Sequence, residues 1–232
     1  MTPAHRRTFA RPTTAHAALL TILCLLGIAT LGAPARADDG VPAGRYTLDR
    51  SHASLLFSVD HLGFSHYTAR FRRFDATLQF APTQLAASEL EVTVDATSIE
   101  TDFPDPAKLD FNAQLQGADW LDAARHPTMT YRSRRIVPTG ERTFRIEGDL
   151  TLRGITRPVT LQARYNGGYV GHPMDPHARV GFSATGQLRR SEFGMSYGIP
   201  APGTTLGVGD AVDLRIECEF SGPPLQKRAA EK

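Results

Sequence analysis

Asp49, Ser51 and His52 bring together the residue types of an acid, a nucleophile and a base within four positions. Such a relay needs the hydroxyl on one side of the imidazole and the carboxylate on the other, and near-adjacent residues on one extended segment do not supply that geometry. No nucleophile elbow surrounds Ser51 either. His61 and His66 stand five apart, as do His172 and His177. Structural zinc sites use tighter four-ligand patterns that include Cys or further His, so these pairs read as solvated or locally hydrogen-bonded imidazoles. Gly167-Gly168 is too short a run to cradle a phosphate. These residues therefore predict neither catalysis nor a metal, and no cofactor is expected.

The elements around them alternate. Over Arg142 to Arg153, Phe144, Ile146, Leu150 and Leu152 share one parity, and Thr143, Arg145, Glu147, Asp149, Thr151 and Arg153 share the other. That is a strand with one dry face and one wet face. Turn residues at Gly154 to Pro158 precede a second alternating run to Tyr165, which predicts a hairpin with a longer loop. The same pattern marks strands at Gly44 to Leu48, Ala53 to His61, Tyr67 to Phe80, Glu89 to Ala96, Thr128 to Ile136, Val180 to Leu188 and Val212 to Phe220. Between Asp102 and Pro127 the alternation stops. Leu109, Asn112, Leu115 and Gln116 fit a helix that Gly117 could end, and Asp119 to Asp122 suggest one further helical turn.

Eight or nine half-dry strands joined by short connections predict an all-β fold, an antiparallel β-barrel of about eight strands with one helical insertion. A β-sandwich is the competing arrangement. Closure of a barrel removes exposed strand edges and leaves an interior wide enough for side chains or one slim ligand. The insertion, which carries the only Trp at Trp120, is expected to plug or cover one opening.

The chain has 232 residues, but its start reads as an export signal. Arg6, Arg7 and Arg11 precede an apolar run from Ala15 to Ala33, and Ala35-Arg36-Ala37 forms a small-x-small cleavage site. The site favours a cleaved signal over 1–37 rather than a membrane anchor, leaving no stable membrane span. Arg6-Arg7-Thr8-Phe9 resembles a twin-arginine signal, but Ala10 and Arg11 replace its usual apolar residue and Lys, so the Sec route to the periplasm is favoured. Cleavage removes four Arg and no acid, which leaves 22 basic against 24 acidic residues. A net charge of −2 gives nothing that would hold nucleic acid strongly. Cys24 leaves with the signal, so Cys218 stands alone on the apolar parity of the last strand and reads as a small buried hydrophobe. One domain over 38–222 and a frayed tail over 223–232 complete the organisation.

Several segments, taken in order, resemble the YceI-like family. They are Tyr46-Thr47-Leu48-Asp49-Arg50-Ser51-His52-Ala53, Phe57 to Gly63, Ala118-Asp119-Trp120-Leu121-Asp122, His126-Pro127-Thr128, Gly148 to Thr156, Arg190-Ser191-Glu192-Phe193-Gly194-Met195 and Val208 to Val212. The resemblance spans about Tyr46 to Phe220. It implies a lipocalin-like barrel in the periplasm that binds a polyisoprenoid or similar long-chain lipid, such as an isoprenoid quinone, without catalysis. The chain departs from the family pattern at Ala69, where Gly is usual, and at Phe111-Asn112-Ala113, where a charged pair followed by His is usual. Fold and general role carry over; ligand identity does not.

On that reading the inner face supplies the ligand contacts: Leu55, Phe57, Val59, Leu78, Phe80, Val92, Val94, Phe144, Ile146, Leu150, Phe182 and Leu214, with Leu115 and Trp120 from the insertion. Asp49 and His52 would offer a polar contact for a headgroup at the barrel mouth, against the plainer reading of a His paired with Asp49 at a strand start. Burying some thirty methylene-sized carbons at roughly 0.8 kcal/mol each yields about 24 kcal/mol gross. That exceeds the practical affinity ceiling near 18–21 kcal/mol, so chain ordering must offset much of it. Two competing readings remain: an enzyme acting on a bound lipid with Asp49, His52 or His61 as acid or base, and an interaction module whose barrel is filled by its own side chains. The expected partners are the lipid and, as an option, a second copy of the chain in a homodimer.

Overall fold

The computed structural model describes residues 39–225. The expected signal over 1–37 lies outside them, as does the end of the tail from residue 226. Ten strands run β1 Gly44–His61, β2 Ser65–Phe71, β3 Phe74–Phe80, β4 Glu89–Asp95, β5 Ile99–Glu100, β6 Thr128–Pro138, β7 Thr143–Leu152, β8 Ile155–Tyr169, β9 His177–Arg189 and β10 Val208–Pro224. Among the described residues one short α-helix, α1 at Phe111–Gln116, interrupts them. All pairings are antiparallel, and β10 returns to pair with β1, so the sheet closes on itself. Because β2 and β3 lie end to end along β1, and β5 and β4 continue them, the ten segments make a closed barrel of eight staves.

Several boundaries differ from the sequence expectation, each for a local reason. The two strands expected at Gly44 to Leu48 and Ala53 to His61 are one, since polar Asp49 to His52 form a bulge and not a turn. Leu48 faces Phe220 and Ala53 faces Cys218, so four residues of β1 stand against Glu219 alone. The expected strand from Tyr67 to Phe80 breaks at Arg72 and Arg73, where it passes from one half of β1 to the other. The β7–β8 connection is tighter than expected: Leu152 pairs with Ile155 across Arg153 and Gly154, whose φ values of +55° and +74° are those of a two-residue hairpin turn. Pro158 is therefore inside β8, at a point not yet paired with β9, so its missing N–H interrupts no ladder on that side. Asp119 to Asp122 form turns rather than a helical turn. β9 starts at His177, ahead of the expected Val180, and β10 runs through Pro224, into the stretch expected to fray.

The interior divides into a solid half and a hollow half. At the end where β1 begins, aromatic rings fill the barrel. Phe182 lies at the middle of this plug, with centroids of Phe80, Phe144, Tyr165 and Phe220 at 5.8, 6.0, 5.4 and 6.0 Å. Tyr46 meets Phe80 edge-on at 5.6 Å and donates its hydroxyl to the Pro42 carbonyl. Edge-to-face packing of this kind adds to the burial of the rings themselves. At the opposite end the inward residues are mainly aliphatic, and α1 with the turns after it folds across the opening.

Candidate functional site

Two adjacent chambers occupy the barrel. The smaller, about 100 Å³, lies against the aromatic plug. The larger, about 490 Å³, occupies the half covered by α1 and Trp120, and falls within the range of small-molecule sites. Leu55, Val92, Leu161 and Ile216 line both, forming a waist between them.

The strand parities put the apolar candidates on these walls. Leu55, Phe57, Val59, Val92, Val94, Leu150 and Leu214 line the larger chamber, with Leu115 and Trp120 reaching in from the insertion. Leu78, Phe80, Phe144, Ile146 and Phe182 line the smaller one. Polar atoms are few, and most are already partnered. The Tyr67 hydroxyl donates to the Thr101 carbonyl at 3.0 Å, and the Tyr131 hydroxyl lies 3.1 Å from the carbonyls of Ile146 and Val159. The Tyr131 ring crosses the barrel wall over Gly148, where a Cβ would come within 2.5 Å of it, so only glycine leaves room for the ring. Asn112, one of the family departures, is held outside this chemistry: its Oδ1 accepts from the Thr101 N–H and hydroxyl, and its amide donates to Glu100.

A closed eight-stave barrel with one hollow, apolar half is thus the architecture that the chain's inward residues build. Residues 46–220 match the YceI-like domain. The chain belongs to the YceI-like family. It is 34% identical over 200 residues to Protein YceI of Escherichia coli O157:H7, covering 84% of this chain and 95% of that protein. A UPF0312 protein of Vibrio cholerae is 32% identical over 181 residues, covering 76% and 87%. Among solved structures, Burkholderia cenocepacia BcnA superposes with a TM-score of 0.62 at 22% identity, covering 74% of this chain and 98% of that one. A polyisoprenoid binding domain from Saccharophagus degradans gives a TM-score of 0.56 at 12% identity, covering 78% and 100%; likeness at these identities is one of fold.

Two of the residues singled out in the sequence lie apart from the chambers of this YceI-like barrel. Asp49 and His52 occupy the β1 bulge and line neither chamber, because the bulge faces Glu219 on the outer side of β10. Asp49 accepts from the Ser51 N–H and hydroxyl, from His52 Nδ1 at 3.0 Å and from Arg179, which also donates to Asp175. Those bonds, led by Ser51, hold the Asp49 carboxyl well below its usual range. The bond to Asp49 and the nearby Glu219 charge raise His52 above the ordinary imidazole value. Ser51 and His52 both address the same carboxylate, so the cluster is an ion-pair network that ties the bulge to β9, not a relay. Asp49, His52 and Glu219 are also the one metal-compatible grouping among the described residues, but Arg179 already neutralises Asp49 there. Cys218 lies on the wall of the smaller chamber, where burial pushes its thiol up to about 12 and leaves almost no reactive thiolate.

Sequence reasoning passed over Arg190 as a site residue, although it opens the family segment Arg190 to Met195. It forms part of the larger chamber's wall and is buried, with its Cζ 5.3 Å from the centre of the Trp120 ring. Burial lowers its pKa, and Asp210 partly opposes that shift. Its place follows from the barrel closure: β8 and β9 pair only from Leu161 and Gly186 onward, and the turn Arg190–Phe193 fills the wedge below. Tyr197 packs edge-on against Trp120 at 5.6 Å, and the Trp120 carbonyl accepts from Arg153.

Proposed function

We propose that this protein is a noncatalytic carrier that holds a polyisoprenoid or comparable long-chain lipid inside the barrel, an isoprenoid quinone being one such cargo, and that it works in the periplasm after removal of 1–37. The larger chamber carries the reading. At about 24 cal/mol per Å³, the slope for small closed cavities, an unfilled chamber of 490 Å³ would cost about 12 kcal/mol, comparable with the whole stability of a domain. Water is a poor filler because hydrocarbon walls offer it too few partners. A slim apolar chain removes the walls and itself from water together. The polyisoprenoid binding domain that shares the fold supports the same reading, and the signal-like start supports export. A barrel filled only by its own side chains, as an interaction module would have it, is matched by the aromatic half alone.

The test is native mass spectrometry of protein purified from the periplasm without detergent, followed by organic extraction. A stoichiometric adduct with the mass of an isoprenoid lipid is expected, on a chain beginning at Asp38. Bare protein that also fails to take up added long-chain lipids would sink the carrier reading.

A further inference from the structure

Among the described residues the larger chamber carries one permanent charge, and no acid on its walls matches it. Arg190 is 3% exposed. Its Nε donates to the Gly209 carbonyl at 2.8 Å, Nη1 to those of Met195 at 3.0 Å and Tyr197 at 2.8 Å, and Nη2 to that of Val208 at 2.7 Å. These bonds staple the loop after β9 to the start of β10. They use four of the five N–H groups of a guanidinium, and the remaining one, on Nη2, has no acceptor among the described residues. Carbonyl dipoles and the Trp120 face solvate the cation without cancelling its charge. The nearby carboxylate, Asp210, is engaged elsewhere: it accepts from the Ser191 N–H and hydroxyl and from Arg189. Among the described residues, neither Asp nor Glu lines the chamber.

A buried cation with no carboxylate paired directly to it is costly, and an arriving anionic oxygen would relieve that cost while completing the fork. We propose that Arg190 is the headgroup subsite of the chamber, and that its ligand is an anionic single-chain amphiphile whose carboxylate or phosphate oxygen binds at Nη2 while the chain runs through the waist toward the aromatic plug. This rests on the carrier reading and names the ligand class that reading leaves open. A neutral head, alcohol or quinone, leaves the charge unmatched and so is held in the same chamber more weakly than an anion.

The wild-type protein suffices for the test, because Trp120 is the only Trp and lies against Arg190. Delipidated protein would be titrated with two matched pairs, hexadecanoic acid against hexadecanol and geranylgeranyl phosphate against geranylgeraniol, following Trp120 fluorescence. A charge-assisted hydrogen bond predicts that the anion of at least one pair binds about tenfold or more tightly than its alcohol. The pair that shows it identifies carboxylate or phosphate. Hexadecanoic acid brominated beside the carboxyl should quench Trp120 more than the same acid brominated at its far end. Equal affinities within both pairs, or stronger quenching from the far end, would overturn the subsite. Failure of all four lipids to bind would overturn the carrier reading and the subsite with it.

Discussion

Phe182→Ala tests the division of the barrel into a packed half and a hollow half. The Phe182 side chain is 8% exposed and touches four other rings, so its removal takes out the middle of the plug. Truncating a buried Phe costs about 3–5 kcal/mol, the transfer and cavity terms together. In a domain of this size each kcal/mol shifts Tm by about 2–4 °C, which gives a fall of about 6–20 °C. Phe182 also walls the smaller chamber, so the space vacated adds to that chamber and gives a chain in the barrel more length to fill. The variant should therefore lose stability without lipid, yet shift its preference toward longer chains. Urea unfolding followed by circular dichroism, with the slope unchanged, would give the first quantity, and lipid titrations over a series of chain lengths the second. A loss below about 1 kcal/mol would refute close packing of the plug, since a ring with room to relax would not lose the full cavity term.

Two further outcomes follow from single contacts. Gly148→Ala places a methyl within 2.5 Å of both the Tyr131 ring and the Arg132 carbonyl, so a destabilisation of about 1–3 kcal/mol is expected in urea unfolding; an unchanged midpoint would show that the ring is free to move. The His52 imidazole should titrate above the ordinary value near 6.5 in a proton NMR titration and fall back toward it in Asp49→Asn. The sign of its stability contribution follows: present below the unfolded pKa, it is lost as pH rises through the raised folded value. The Asp49 contribution runs the other way, present above the ordinary carboxylate pKa and lost as pH falls through its lowered value. An unshifted His52 would refute the ion-pair network at the bulge.

The family was legible in the ordered segments from Tyr46 to Val212, and the half-dry strands because side-chain direction in a strand alternates with period two, a local property. That alternation is enough to put Phe144 and Ile146 on the inside and Arg145 and Glu147 on the outside, whatever lies across the barrel. Turn positions were less legible. Asp49 to His52 have the composition of a turn, and only pairing with β10 makes them a bulge, because hydrogen bonds to a distant strand can absorb extra residues that a free segment would use to reverse direction.

By itself, then, the sequence determined which residues face inward; that they close into a barrel and not a sandwich, and whether its interior is solid or hollow, was decided by the tertiary structure. Phe80, Phe144, Tyr165, Phe182 and Phe220 come from five different strands, and their rings meet only because the register brings them to one level of the barrel. The aliphatic residues at the other end fall short of one another across the same diameter. Arg190 was hidden for the same reason: nothing in its neighbours marks it as buried, and it becomes so where β8 and β9 part and the chain's own carbonyls close around it. Side-chain direction is set by the backbone of one strand, but the volume left in the middle depends on all eight staves at once.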